Sequence, residues 1–436
     1  MALFELQLVV RPRFFSCFLF FDYFFPRMHK LFAKKRIFPS KYSNHQLTGI
    51  PTNRHFLEMT SSEQATLVDE YPIESILNQI SPWFDVEKTK YGGRGCFATD
   101  LIPKGTIIHQ CSSPVGSTIA KPFKKEVCTN CFKYEYGSTM KSKVSKKIGK
   151  NTYSIFFCND DCLKEFKSND VNEVLLDNLI EIEKNYLQGL TKPEEEVKEP
   201  KELSKEYIEE WDKVSSWESK LESMKPTKRQ NLIPRIDDSE YLEIKYVIGV
   251  LFNMYRCHNI KISNYDFPEL NPQEANQVEM VLFDLLYSSE YEKVEKYPYL
   301  LFSYINMYKF IKISCTKELQ PFINLTIVRA IIGKNLSNAF GIWSEVSDPS
   351  EDKEFLGYGV YPSASYFNHS CEPNIVKTRK GATLEFTTLR DINPGEELCI
   401  NYGNYTNEPV EIRRAQLSEW FFDCGCTKCI RELNSN

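Results

Sequence analysis

Hydrophobic and polar residues alternate in two separate parts of the chain. Between Tyr91 and Gln110, glycine and proline separate short runs of β-forming residues, which predicts strands joined by tight turns. A period of two returns after Glu354, and strands are predicted at Phe355 to Tyr361, Leu384 to Thr388 and Leu398 to Tyr402. We expect the two groups of strands to form one β domain that is interrupted by insertions.

The long segment between these strands has a helical period instead. Helices are predicted at Val171 to Tyr186, Ile208 to Leu221, after the Asp237-Asp238 cap, after Asn271-Pro272, at about Tyr299 to Ile313 and at Leu319 to Ala339. The charged, proline-containing stretch from Thr191 to Lys205 has little to bury, and we expect it to be a mobile linker. Strands followed by helices and strands again indicate an α+β fold.

The N-terminal extension, residues 1–70, does not share these patterns. Between Asp22 and Glu58 it has basic residues but no acidic one, as organelle transit peptides do, so mitochondrial targeting by residues 1–58 is one alternative. The other is an upstream start codon, with translation beginning at Met28 or Met59. In either case we expect the extension to be disordered or not translated. Its longest charge-free run, Phe14 to Phe21, is far shorter than the ~20 residues that span a bilayer.

Composition excludes several classes of protein. The 436 residues include 54 basic and 59 acidic side chains, a net charge of −5, and 42% are hydrophobic. A chain this rich in apolar residues is not disordered throughout, and its slightly acidic balance argues against a protein that coats nucleic acid. At this length we expect about two or three structural units.

Half of the 14 cysteines lie in closely spaced groups. The pairs Cys128/Cys131 and Cys158/Cys162 and the triplet Cys424, Cys426 and Cys429 have spacings that suit tetrahedral zinc better than disulfides. We therefore expect zinc and a reducing compartment, the nucleus or the cytoplasm.

Three further segments carry candidate chemistry. The first is Gly93-Arg94-Gly95, which by itself indicates only a tight turn. The second is the run YFNHSCEPN from Tyr366 to Asn374. The third is GEELCINY from Gly395 to Tyr402, followed by the cysteine triplet.

In this order and spacing, the segments resemble the SET-domain protein lysine methyltransferases. The cysteine module between them narrows the resemblance to members with an inserted MYND-type zinc finger, in particular the short fungal type. The family implies a β-rich, pseudoknotted fold. Its parts would be the first half of the SET domain at 71–120, the reduced finger at 121–165, the helical insert at 166–336, the second half of the SET domain at 337–410 and a post-SET zinc segment at 411–436.

The resemblance also assigns site residues. Asn368 would bind the amino-acid end of S-adenosylmethionine, and the backbone of His369 would face the adenine. Tyr402 matches the active-site tyrosine, which also contacts the cofactor. The remaining cofactor positions that match the family are Gly93, Arg94, Gly95, Asn338 and Phe422.

Two zinc ions are expected. A full MYND finger holds two ions with four ligand pairs, but this chain keeps only the two pairs of Cys128, Cys131, Cys158 and Cys162, which together serve one ion. The C-terminal triplet supplies three ligands for the other ion, and a closed site needs four. Cys371 is the expected fourth, because it follows Asn368-His369 in the motif that the family brings against this segment. Cys399 is the alternative, but it lies within a predicted strand.

The leading interpretation is an S-adenosylmethionine-dependent protein-lysine N-methyltransferase that acts, as a monomer, on a protein substrate such as a histone. The alternative is a catalytically weak scaffold of SET domain and zinc finger that binds protein partners. Nucleic-acid binding by the finger lysines is a third alternative, although lysine runs are usually solvated. A scaffold without catalytic activity could have lost Tyr402, Asn368 or Phe422. All three are present, which favours the enzyme.

Overall fold

The computed structural model describes residues 73–91, 93–193, 199–258, 270, 272–345, 353–403, 406–418 and 422–435. The N-terminal extension and the centre of the Thr191 to Lys205 linker, residues 194–198, lie outside the described residues, so the expectations for them stay predictions. The predicted end of the linker was wrong, because a helix already begins at Leu203. In the part of the chain that is described, no helix is long and apolar enough to cross a membrane.

Twelve strands lie in the described ranges, and they form three sheets and one hairpin. They are β1 (Phe84–Lys88), β2 (Arg94–Ala98), β3 (Ile107–Cys111), β4 (Gly116–Ile119), β5 (Ser142–Ile148), β6 (Asn151–Phe157), β7 (Ala339–Trp343), β8 (Phe355–Val360), β9 (Asn368–His369), β10 (Ile375–Lys380), β11 (Thr383–Thr388) and β12 (Glu397–Ile400).

Each of the three sheets joins strands from the two ends of the fold. Their orders are β1-β2-β12-β9, β10-β11-β3 and β4-β8-β7. Strand β2 pairs antiparallel with β12, β3 with β11 and β4 with β8. The predicted interrupted β domain is therefore present, while its exact boundaries stay predictions.

The helices lie mainly in the long insertion between β6 and β7. Those described are α1 (Ile73–Leu77), α2 (Asp160–Asn169), α3 (Val174–Gly189), α4 (Leu203–Glu222), α5 (Pro226–Gln230), α6 (Asp238–Cys257), α7 (Pro272–Leu285), α8 (Glu290–Lys296), α9 (Leu300–Ser314), α10 (Leu325–Asn338), α11 (Val410–Leu417) and α12 (Thr427–Leu433).

Local capping explains where two of these helices begin. Asp237 caps α6 as predicted, because its carboxylate accepts hydrogen bonds from the backbone N–H groups of Ser239 and Glu240. The prediction of one helix from Leu319 to Ala339 was wrong at its start. Asn324 caps α10 by accepting from Ile327 N at 2.9 Å, so the helix begins at Leu325.

Helix α6 packs directly on strand β4, and two glycines permit the contact. A Cβ atom on Gly116 would lie 2.6 Å from Val250 Cγ2 and 2.8 Å from Tyr246 O. A Cβ on Gly249 would lie 3.2 Å from the Gly116 Cα. The insertion therefore contacts the β domain at backbone distance, which joins the two parts into one hydrophobic core.

The zinc-finger region contains a hairpin that the sequence patterns did not predict. Strands β5 and β6 pair in register from Ser142↔Phe157 to Ile148↔Asn151. Every second residue of β5 is exposed, as in a strand with one solvent-facing side. The sequence does not show this alternation as a pattern of apolar and polar residues, because four lysines lie among the strand and turn residues. Phe157 and Phe166 pack with Cys128 in a small core that includes Leu176 and Ile180 of α3, so the finger is supported by that helix and apart from the main core.

Candidate active site and metal centres

Strand β9 places the Asn368-His369 pair at the edge of the sheet formed by β1, β2 and β12. It pairs parallel with β12, with Asn368 opposite Cys399 and His369 opposite Ile400. Because β12 also pairs with β2, the Gly93-Arg94-Gly95 segment at the start of β2 lies close to the same edge. The structure thus brings together segments that are far apart in sequence, while the pseudoknot itself stays a prediction.

Asn368 is fixed by the neighbouring strands. Its Nδ2 lies 3.0 Å from Arg94 O, 2.9 Å from Glu397 Oε1 and 3.1 Å from the Tyr91 hydroxyl. A Cβ atom on Gly95 would lie 2.6 Å from that Glu397 oxygen and 2.7 Å from the Asn368 nitrogen. Glycine at position 95 therefore lets both groups keep these positions, because any side chain there would displace them.

Three rings form an aromatic wall next to this polar group. The centroid of His369 lies 5.3 Å from that of Tyr402 and 6.0 Å from that of Phe422, and the last two are 6.0 Å apart. His369 Nδ1 accepts a hydrogen bond from Tyr402 N at 3.1 Å, which assigns the ring proton to Nε2. Burial lowers the pKa of His369 to about 4, so its ring is neutral at physiological pH.

Tyr402 faces the backbone just before Asn368. Its hydroxyl donates to Phe367 O at 3.0 Å. Burial raises the pKa of Tyr402 far above its usual range, so the phenol stays protonated at neutral pH. A neutral phenol with oxygen lone pairs suits the stabilisation of partial positive charge but not proton abstraction.

Asn338 has a different hydrogen-bond partner. Its amide donates to Lys334 O at 2.8 Å within α10, whereas the Asn368 amide lies next to Arg94 O, Glu397 and the Tyr91 hydroxyl. Its assignment to the cofactor therefore rests on the family resemblance alone.

Two polar residues of the site were missed in the sequence patterns. Glu397 accepts from both Asn368 and the Tyr91 hydroxyl. Asn374 donates to Glu397 O at 2.8 Å and accepts from Cys399 N at 2.7 Å, which fixes β12 against the loop after β9. Both residues lie within the motifs quoted above. The signal that could have indicated them is a polar side chain at a motif position that faces the neighbouring strand.

These groups fit the cofactor that the resemblance implies. Gly93 has φ +72°, a conformation that glycine adopts readily, and a Cβ there would meet no atom within 4 Å, so its backbone borders open space. The Asn368 amide offers polar contacts at one end of the site, and Phe422 offers an aromatic face at the other. An amino acid joined to an adenine nucleoside has the same two kinds of surface.

The eight predicted metal ligands form two groups. The sulfurs of Cys128, Cys131, Cys158 and Cys162 all lie within 4.8 Å of one another, and so do those of Cys371, Cys424, Cys426 and Cys429. Individual distances are 3.7 Å for Cys131–Cys158 and 3.5 Å for Cys158–Cys162. Tetrahedral zinc with Zn–S bonds of about 2.3 Å places two sulfurs about 3.8 Å apart. The first group therefore fits zinc.

The second group has the same geometry. Cys371 Sγ lies 3.6 Å from Cys429 Sγ and 3.9 Å from Cys424 Sγ. Hydrogen bonds from the Cys424 thiol and from the backbone N–H groups of Cys429 and Cys371 lower the pKa of Cys426 well below its usual range, which favours the thiolate at this sulfur. The hydrogen bond to Cys426 raises the pKa of Cys424, and burial raises that of Cys371. Cys399 belongs to neither group of the described residues, and burial raises its pKa to about 12.

Arg413 supports the second group, and no sequence pattern indicated it. Its guanidinium is 1% exposed and donates to Cys429 Sγ at 3.5 Å and to Glu432 at 2.8 Å. Four thiolates around one zinc ion have a net charge of −2, and a buried guanidinium offsets part of it.

We expect Arg413→Met to weaken zinc binding at this centre by about tenfold, because outer contacts to metal ligands commonly contribute this much. The measurement is competition with a chromogenic chelator. The control is Arg414→Met, the next residue on α11, which pairs with Asp423 at 3.7 Å. Equal zinc affinity of the Arg413 and Arg414 variants would show that the buried guanidinium has no part in the metal centre.

The finger centre should be separable from the cofactor site. We expect the double variant Cys128→Ser/Cys131→Ser to lose one zinc ion and to loosen residues 121–165. Its affinity for S-adenosylhomocysteine should stay within about twofold of the parent, because the finger packs with α3 in a core separate from the main one. Elemental analysis and calorimetric titration measure the two quantities. A complete loss of cofactor affinity would place the finger in the SET core instead.

Comparison with known proteins agrees with this geometry. A profile described as SET domain matches residues 93–403. The Saccharomyces cerevisiae protein described as potential protein lysine methyltransferase SET6 is 34% identical over 388 residues, covering 83% of this chain and 99% of its own.

More distant relatives match over shorter stretches. A SET and MYND domain-containing protein of Dictyostelium discoideum is 38% identical over 108 residues, covering 24% of this chain and 26% of its own. N-lysine methyltransferase SMYD2-A of Danio rerio is 38% identical over 82 residues, which cover 18% and 19%. This chain belongs to the SET-domain family and resembles its members with an inserted MYND finger.

Proposed function

We propose that this protein is an S-adenosylmethionine-dependent protein-lysine N-methyltransferase. The observation that carries the proposal is the arrangement of Tyr402, whose hydroxyl donates to Phe367 O directly before the Asn368-His369 pair. Membership of the SET-domain family supports it. When bound, the cofactor supplies a methyl group on a positively charged sulfur.

The residues of the chain would contribute binding, orientation and electrostatics. Asn368, held by Arg94 O and Glu397, is placed to bind a charged amino-acid end, and Phe422 to cover an aromatic base. Methyl transfer to a neutral lysine amine is an in-line displacement that requires alignment and exclusion of water. The phenol oxygen of Tyr402 and the carbonyl of Phe367 can stabilise the partial positive charge on the moving methyl group.

The proposal also covers the zinc ions, the protein substrate, the oligomeric state and the cellular compartment. Two zinc ions, one in the finger and one after the SET domain, would have structural roles, because each centre has four cysteine ligands and no open position. The substrate is a protein with an accessible lysine, with histones as one class, and the enzyme acts as a monomer in the nucleus or cytoplasm.

Binding of S-adenosylhomocysteine, the product left by the cofactor, separates the enzyme from a scaffold. We expect S-adenosylhomocysteine at millimolar concentration to raise the melting temperature, because a ligand that binds only the folded state stabilises it by about 2.7 kcal/mol at 100 times its Kd. An unchanged melting temperature would favour the scaffold. The substrate is then identified by incubating the enzyme with labelled cofactor and a lysate, with a Tyr402→Phe reaction in parallel.

A further inference from the structure

A cavity lies between the finger, the helical insert and the β domain, and none of the functions above uses it. Its volume is about 120 Å³. Its walls come from β4, from Thr129 and β6 of the finger, from α3 and from α6. None of the proposed zinc ligands or cofactor-binding residues lines it.

Most of this wall is apolar. Ile119, Ile155, Phe156, Leu179 and Leu187 line the cavity, together with two tyrosine rings. The rings of Tyr186 and Tyr241 are stacked, with centroids 4.2 Å apart and planes at 7°. Engineered apolar cavities of about 150 Å³ take up benzene, so this space suits a ligand body of similar or slightly smaller size.

The charges in the wall do not cancel. Lys124 and Lys121 both line the cavity, and each is paired with a carboxylate. Lys124 pairs with Glu183, which also lines the cavity, and Lys121 Nζ lies 3.2 Å from Asp238, which does not. Lys245 takes part in none of the ion pairs of the described residues. Its Nζ donates to Ile119 O and lies 5.0 Å from the centroid of the Tyr241 ring. One ammonium group in the wall therefore has a carbonyl and a ring as close partners, but no carboxylate of the described residues within ion-pair distance.

The electrostatics of Lys245 agree with this geometry. Burial, followed by the nearby charge of Lys124, lowers the pKa of Lys245 to about 7, and the carboxylates of Glu183 and Asp238, which lie beyond ion-pair distance, oppose this shift. An anion placed beside the ammonium would recover part of the lost solvation and favour the charged form.

We propose that this cavity binds a small monocarboxylate, with its apolar body among the aliphatic and tyrosine side chains and its carboxylate paired with Lys245. Ligand pockets typically combine a mostly apolar lining with a few placed polar groups, as here. A single unpaired ammonium matches one negative charge, whereas a phosphate dianion would leave charge uncompensated in an apolar site. Because four parts of the fold line the cavity, the bound acid would connect the finger to the rest of the protein.

The test uses the full chain and phenylacetate as the probe. We expect saturable binding to the parent by calorimetry, with a Kd of about 1 mM or tighter. Phenylacetamide, which has nearly the same shape without the charge, should bind at least about tenfold more weakly.

Two variants locate the site. Lys245→Met removes the charge at similar length and should weaken phenylacetate binding at least about tenfold. Leu179→Trp fills the apolar part, keeps the charge and should also abolish binding. Lys147→Met, which changes an exposed lysine of β5 outside the cavity lining, should bind like the parent. Zinc content equal to the parent shows that each variant is folded.

Either of two results would overturn the proposal. One is the absence of saturable binding to the parent at about ten times the expected Kd. The other is equal affinity of phenylacetate for the parent, Lys245→Met and Leu179→Trp, which would place the ligand elsewhere on the protein.

Discussion

Replacing Tyr402 by phenylalanine is expected to lower the methylation rate constant kcat by about 10²-fold, because one preorganised oxygen at a developing charge contributes on this scale. The substitution removes only the phenol oxygen and with it the hydrogen bond to Phe367 O. The ring contacts with His369 and Phe422 remain, so the affinity for S-adenosylhomocysteine should stay within about threefold. The measurement is the rate of S-adenosylhomocysteine release with a substrate identified by labelling.

A neighbouring tyrosine provides the matched control. Tyr366 is 5% exposed, and its hydroxyl has no hydrogen-bond partner among the described residues. Tyr366→Phe therefore makes the same chemical change at the residue before Phe367, whose carbonyl accepts from Tyr402, and should keep the rate of the parent. If the Tyr402 variant methylates as fast as the Tyr366 variant, the assignment of Tyr402 is wrong.

Replacing Cys371 by serine is expected to remove one zinc ion and to weaken cofactor binding and activity together. Cys371 Sγ lies within 3.9 Å of Cys424 Sγ and 3.3 Å from His369 Nε2, so it joins the C-terminal segment to the Asn368-His369 pair. Without this ligand, the segment that contains Phe422 loses its attachment beside the cofactor site. We expect at least about tenfold weaker binding of S-adenosylhomocysteine, which corresponds to about 1.4 kcal/mol.

Cys399→Ser is the control for this effect. Cys399 lies in β12 opposite Asn368 but outside both sulfur groups of the described residues. Its variant should keep both zinc ions. Elemental analysis of the two variants decides which cysteine binds zinc. Full zinc content in the Cys371→Ser protein would exclude Cys371 as a ligand. The Cys128→Ser/Cys131→Ser protein shows in parallel that zinc loss alone does not abolish cofactor binding.

The helices of the insert could be predicted from sequence because their signals are local. Helix α6 begins at its capping box, and α3 follows the apolar period of its own residues. The same local signals gave too early a start for α10, because the pattern continued through Pro321 while the Asn324 cap decided the first turn.

The candidate residues of the two sulfur groups and of the site could also be named from sequence. Closely spaced cysteines restrict where their sulfurs lie, and the motifs around Asn368 and Tyr402 are contiguous. The geometry agrees with the choice of Cys371 over Cys399 for the second group, and that choice rested on the family resemblance rather than on spacing.

The tertiary structure alone decided which distant side chains meet. The need for glycine at position 95 follows from Asn368 and Glu397, which lie about 300 residues away on neighbouring strands. In sequence, Arg413 does not differ from any other charged residue of a helix, and only the packing of α11 brings it to the second sulfur group. Lys245 faces a cavity whose wall comes from four parts of the chain. Local sequence determines caps, periods and ligand spacings through nearby backbone geometry, whereas burial, charge pairing and close approach depend on packing between segments, which no local pattern encodes.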